Sequence, residues 1–336
     1  MSTTGDDTAS GSEEITSSKK ECTSCEQNNI DTITKGIDSV VLDSITLSMC
    51  AACGKKSNSN DMNTCNKCKS VKYCNAACKK KHRKKHKKAC ERRVAELHDE
   101  ALFKEVDPKE CPICMLPLPD ASLTTTVSCC GKRICIGCLY AMKMSEGKDL
   151  CAFCRTPYAT SGEEEIKRTK SLIDNENGEG YLMLASYYDQ GHRGLQQDLQ
   201  KANELLLKAG ELGCANGYYN LGNHYDNGRG VERDKKKAQH YWELAAMGGD
   251  INARHNLGCM EGKADNFHRA MKHFMIAARA GHEKSLELVQ KGFIGGFVTI
   301  DEYVNTELAY TKIHEEIKSD ERDIVAEAAK ARLLGR

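Results

Sequence analysis

The cysteines of this chain, joined by one histidine, fall in pairs whose spacing suits a metal ion. Cys50-x2-Cys53, Cys65-x2-Cys68, Cys74-x3-Cys78 and His86-x3-Cys90 follow one another between residues 50 and 90. A Cys-x2-Cys pair makes a tight knuckle that aims two thiolates at one ion. His86 and Cys90 stand at i and i+4, so a helix presents both on one face. Four such pairs supply eight ligands, enough for two tetrahedral zinc ions. A second block runs Cys111-Pro-Ile-Cys114, Cys129-Cys130, Cys135-x2-Cys138 and Cys151-Ala-Phe-Cys154, again four pairs. Segments this short bury too little apolar surface to fold alone, so metal binding would supply folding free energy. The expected cofactor is Zn2+, four ions per chain.

The rest of the composition agrees with metal rather than disulfides. Of 19 cysteines, 17 lie between Cys22 and Cys154. The first twenty residues are polar with no apolar core, so no secretory leader is expected. No apolar run approaches the roughly 18 residues of a membrane helix. The expected setting is intracellular, cytoplasmic or nuclear, where paired cysteines hold metal. A net charge of +1 over 336 residues dictates neither an acidic nor a basic partner.

The elements that must carry these ligands are small, and the chain beyond them is different in kind. Residues 1–49 form an expected disordered tail, with Cys22 and Cys25 as an unmatched pair. Residues 91–110 form a helical linker that stops at Pro108. From residue 178 the text is rich in Ala, Leu, Gly and Tyr, and it repeats. Lys201-Ala202 recurs as Lys237-Ala238, and Leu221-Gly222 as Leu257-Gly258, each after 36 residues. Each unit reads as two helices joined by a turn such as Gly228-Arg-Gly230-Val231, whose glycines allow positive φ. Asp198, Asp234 and Asn266 are expected N-caps of the second helices. One unit cannot bury its apolar face alone, so neighbours must stack. The third copy, about 250–281, lacks the glycine turn. The array is expected to span 178–319, ending in a degenerate capping copy over 282–319, with a C-terminal helix over 320–336. Cys214 and Cys259 read as core thiols, and Trp242 as packed between repeats.

The 50–90 block resembles the MYND finger. That resemblance implies interleaved pairs: Cys50, Cys53, Cys74 and Cys78 on one zinc, and Cys65, Cys68, His86 and Cys90 on the other. Tyr73 fits the aromatic-Cys step of that family. Lys79 replaces its Gln and Arg83 its Trp. His82 is a rival ligand at the wrong spacing. The implied ligands of such fingers are proline-rich peptides. Eight of the ten residues from Lys79 to Lys88 are Lys or Arg. They read as a solvated helix face or an import signal. Nucleic-acid contact is not favoured, because no stacking aromatics interleave.

The 111–158 block resembles a RING finger of the all-cysteine type, with Lys132 where the family has its histidine. The resemblance implies Cys111, Cys114, Cys135 and Cys138 on one zinc, and Cys129, Cys130, Cys151 and Cys154 on the other. It implies contacts to a ubiquitin-conjugating enzyme at Ile113, Met142, Arg155 and Pro157. The repeats resemble the Sel1-like family, cousins of the tetratricopeptide repeats, over about 178–285, which implies an adaptor surface for a protein partner. The expected fold is mostly α: two small cross-braced zinc modules followed by an α-helical Sel1-like array. The expected function is a multi-module interaction protein of the RING-type ubiquitin ligase class. The alternative is a non-catalytic scaffold.

Overall fold

The computed structural model describes residues 47–118, 123–144, 150–325 and 327. Cys22 and Cys25 lie outside them. The chain divides into two compact units, residues 1–84 and 85–336, each taken in turn.

In the first unit two short hairpins frame the knuckles. Strand β1 (Leu47–Met49) pairs antiparallel with β2 (Lys56–Asn58), Met49 opposite Lys56. The loop between them is closed by Cys50 N–H donating to Lys55 O and Gly54 N–H to Cys50 O. Gly54 sits at φ +74°, a conformation glycine adopts without strain. β1 occupies the last three residues of the expected disordered tail, because the knuckle needs a strand on each side. Strands β3 (Asn63–Thr64) and β4 (Lys72–Tyr73) do the same for the Cys65–Cys68 knuckle. Tyr73 is fully buried there. Helix α1 (Ala76–Leu102) begins just after Cys74.

In the second unit α1 runs on without a break and ends at Leu102, six residues before the expected stop at Pro108. A small zinc-finger-like body follows. Strand β5 (Thr124–Thr126) pairs antiparallel with β6 (Arg133–Cys135), and α2 (Ile136–Met144) leaves directly from β6. Its core is Cys111, Val127, Ile134, Cys135 and Cys151. Next comes α3 (Gly162–Asp174), a helix between the finger and the repeats with little sequence signal, N-capped by Ser161.

The repeats are helix pairs: α4 (Gly178–Gln190) with α5 (Leu199–Glu211), α6 (Ala215–Asn227) with α7 (Lys235–Met247), and α8 (Ile251–Lys263) with α9 (Phe267–Arg279). α10 (Glu283–Ile294) and α11 (Ile300–Glu316) add a fourth pair, and α11 opens with a Thr299/Glu302 capping box. Residues 320–325 are helical, a described part of the expected C-terminal helix.

The repeating residues have repeating jobs. Ala202, Ala238 and Ala270 are fully buried at equivalent places. A Cβ on Gly222 would lie 2.5 Å from the Trp242 ring, and one on Gly258 would lie 2.5 Å from the Phe274 ring. Each glycine is a socket for the aromatic of the following helix. Asp198 and Asp234 cap as expected, accepting from Lys201 N–H and from Lys236 and Lys237 N–H. Asn266 does not cap. Its amide donates to Glu261 Oε2 at 2.8 Å instead, because the third turn is shorter. In that turn Asp265 takes the left-handed φ of +60° that its sequence lacks a glycine for.

Candidate metal centres

Four groups of side chains converge, and they contain the sixteen expected ligands. They are Cys50, Cys53, Cys74 and Cys78; Cys65, Cys68, His86 and Cys90; Cys111, Cys114, Cys135 and Cys138; and Cys129, Cys130, Cys151 and Cys154. Within each group all ligand atoms lie within 4.8 Å of one another. Four thiolates about 2.3 Å from a tetrahedral zinc stand roughly 3.8 Å apart. The separations include 3.7 Å for Cys53–Cys74, 3.8 Å for Cys111–Cys138, 3.9 Å for Cys114–Cys135 and 3.7 Å for Cys130–Cys151, with Cys74–Cys78 at 3.5 Å and Cys129–Cys154 at 3.3 Å somewhat closer. The donor sets therefore fit zinc in size and in kind, and the two fingers hold Zn2+.

The thiol energetics point the same way. Burial, with the neighbouring Cys154 thiol, pushes Cys129 far up, and burial with Cys135 does so for Cys138. The Cys74 thiol, with burial, pushes Cys78 up to about 12. In the other direction, the main chain of Cys74 brings Cys50 down to about 6. Burial opposes ionisation of Cys111, but the main-chain N–H groups of Cys114, Cys135 and Ile113 outweigh it and bring it to about 7. Mutual repulsion and desolvation are what a dication at the centre of such a group reverses.

His82 stays out of the groups. Its Nδ1 lies 3.3 Å from the Tyr73 hydroxyl. From Lys80 to Lys88 every lysine and arginine is exposed. The adjacent pair Cys129 and Cys130 does reach one group. The β5–β6 connection turns back at Gly131, φ +67°, with Gly131 N–H donating to Val127 O. Cys214 is buried and Cys259 half-buried, both outside the groups.

The four enzyme-contact candidates fall in two classes. Ile113 and Met142 are half-buried against the core of the second finger. Arg155 and Pro157 are exposed, Arg155 at φ +58° just past the last knuckle. Pro157 O accepts from Arg168 of α3. Met115 and Phe153, beside and within the two knuckles, are also exposed, 65% and 36%. Their positions at the two Cys-x2-Cys knuckles are the sequence signal that marks them.

Two further residues bear on this finger and had no sequence signal, because their partners are remote. Arg322 is buried and donates to Cys114 Sγ at 3.2 Å and to Pro117 O at 2.8 Å. Its backbone lies so close to α2 that a Cβ on Gly137 would meet Arg322 N at 2.9 Å. Arg133, on β6, grips Glu179 of α4 through both carboxylate oxygens at 2.7 Å. The second finger is thus bonded to the first repeat and to the chain's last described turn. Among the described residues no helix is long and apolar enough to cross a membrane.

Comparison with known proteins bears on both ends. The MYND finger family model matches residues 50–90, and the Sel1 repeat model matches 178–214, 215–250 and 251–282. Among solved structures, the chain is similar to a Sel1 repeat protein from Oxalobacter formigenes: 22% identity, 44% of this chain and 64% of that one, TM-score 0.39. It is similar to c5321, a protective antigen of uropathogenic Escherichia coli with an SLR fold: 28% identity, 46% of this chain and 33% of that one, TM-score 0.39. Helicobacter pylori cysteine rich protein B matches at 27% identity over 38% of this chain and 93% of that one, TM-score 0.32. The chain spans less than two thirds of the length of the first two. The chain carries a MYND finger over residues 50–90 and three Sel1 repeats over residues 178–282.

Proposed function

We propose that this zinc-binding interaction protein is a RING-type ubiquitin ligase or a ligase subunit. The observation that supports the reading is the second finger. Its two four-thiol groups interleave along the chain, with a helix leaving from the third pair. Exposed Arg155 and Pro157 stand beside the last knuckle. A protein of this class supplies no nucleophile. It holds a ubiquitin-charged conjugating enzyme in a reactive pose, a contribution of orientation. Arg155 would serve with its forked donors, which a lysine could not copy. The MYND finger, with a proline-rich peptide as its ligand, and the repeats would select the substrate.

One observation favours a second reading, a non-catalytic scaffold. Ile113 and Met142 pack into their own core, leaving less apolar surface for a partner. Ubiquitin discharge from a panel of charged conjugating enzymes separates the two. The ligase reading expects discharge by the full chain that drops about tenfold or more in Arg155→Ala. Zinc-loaded full chain that discharges none of them would leave the scaffold.

A further inference from the structure

The linker between the fingers does not hang free. Its last helical turn and the residues after it lie in a groove of the repeats formed by α7, α8 and α9. Leu102 is 1% exposed and shares a core with Ala238, Trp242, Ala245, Ala246, Ala253 and Leu257. Phe103 packs against His273 with ring centroids 4.7 Å apart and the planes tilted by 43°, beneath the cations of Arg269 and Lys272 at 5.1 and 5.5 Å.

Recognition around that anchor has two parts. Arg254, 2% exposed, donates to Leu102 O at 2.6 Å and Lys104 O at 2.8 Å. Leu102 O is an orphan carbonyl of the helix end, where the negative end of the helix dipole also favours a cation, and Lys104 O lies two residues beyond it. Any helix ending here could meet that clamp. Side chains add selectivity. Asp99 pairs with Arg269 at 2.6 Å, and Glu105 with Arg279 at 2.6 Å. Both pairs are half-exposed rim contacts, which set register more than affinity. The central Leu-Phe pair has the position and burial of a hot spot.

A second observation says the fit is incomplete. His273 is 1% exposed, and neither ring nitrogen has a hydrogen-bond partner. Buried polar groups are nearly always satisfied, so an orphaned pair beneath the linker weakens its hold on the groove and favours opening, which lets water reach the ring.

We propose that the α7–α9 groove is a peptide-binding site shut in cis by residues 98–106. Its partner is a protein helix that ends in the same pattern: an acidic residue, Leu-Phe three and four positions on, and an acidic residue two further. The inference rests on the repeats being a partner surface and is independent of ligase activity. A short tether holds the linker at an effective concentration on the order of 1 mM. A free peptide of intrinsic Kd on the order of 10 μM then binds the wild-type groove roughly a hundredfold more weakly than an opened one.

The probe is a labelled synthetic peptide of residues 96–107 carrying Lys104→Gln, since the Lys104 side chain is exposed and trypsin must not cut the probe. Anisotropy titrations compare the full chain with a Leu102→Asp/Phe103→Ser variant, and that variant with Arg254→Gln added. Binding at least tenfold tighter to the opened variant, lost with Arg254→Gln, is expected. A parallel arm needs no variant: saturating unlabelled peptide should speed tryptic cleavage after Lys104 in the wild-type chain. The proposal is overturned if the zinc-loaded, cooperatively melting opened variant does not bind. Should that variant fail to fold, an unchanged cleavage rate in the wild type overturns it.

Discussion

Burial of His273 predicts a specific acid sensitivity of the repeats. Its ring is pushed down to about 3, first by burial and then by the nearby charges of Arg254 and Arg269, with Asp99 opposing weakly. An unfolded histidine titrates near 6.5. Between those values the unfolded state binds a proton that the folded state refuses, so stability rises with pH. The cost therefore sets in as pH falls through about 6.5 and is complete only near 3. Worked from the two values, His273 costs about 2 kcal/mol at pH 5 relative to pH 8. Asp250, pushed up to about 6 by burial, has the opposite slope over part of that window. It is common to wild type and variant, as is any loss of zinc, so the difference between them isolates the histidine. The assay is urea unfolding read by Trp242, the chain's one tryptophan, which packs beside Leu102 in the same core. His273→Leu should be about as stable as wild type or slightly more so at pH 8, and about 2 kcal/mol more stable in relative terms at pH 5. Stability curves of equal pH slope for the two proteins would refute the account of a neutral, unpaired ring.

Two further expectations are independent of it. In Gly217→Ala the new Cβ would stand 2.7 Å from Leu206 O and 2.8 Å from Gly210 N, both backbone atoms that cannot turn aside. Overpacking of that kind costs about 1–3 kcal/mol and should exceed the gain of up to about 1 kcal/mol in helix propensity. Gly262→Ala meets only Ala270 Cβ at 3.9 Å and should stabilise by about 0.5–1 kcal/mol; urea midpoints of opposite sign are expected for the two. Elemental analysis of the purified chain should give four zinc ions, and Cys130→Ser should leave about three. Two or fewer in the wild type would refute the paired fingers.

The sites were more legible than the frame around them, for a physical reason. Metal coordination fixes both residue type and spacing, so His86 and Cys90 stand out at i and i+4, and the sixteen candidate ligands that converge in space can be read in one dimension. Repeats are legible because the same packing problem recurs: Gly222 and Gly258 reappear because each must admit an aromatic ring. Helix ends decided at long range are not legible. α1 stops at Leu102 where Arg254 takes its carbonyls, an interaction across about 150 residues. α3 has few apolar residues, with only Thr169 and Leu172 buried, and so leaves a weak trace. Asn266 looked like a cap because composition suggests caps, but its amide was claimed by Glu261.

The Arg133–Glu179 grip has a mechanical consequence. Arg133 sits two residues before Cys135 on the same strand, so the ligand and the grip belong to one rigid ribbon. The finger and the first helix pair then turn together as a single jig. A molecule clamped on the finger and another lodged along the helices would face each other at a set bearing and reach. Which part of the second molecule came under the first would be decided by its length and lie, much as a template guides a drill.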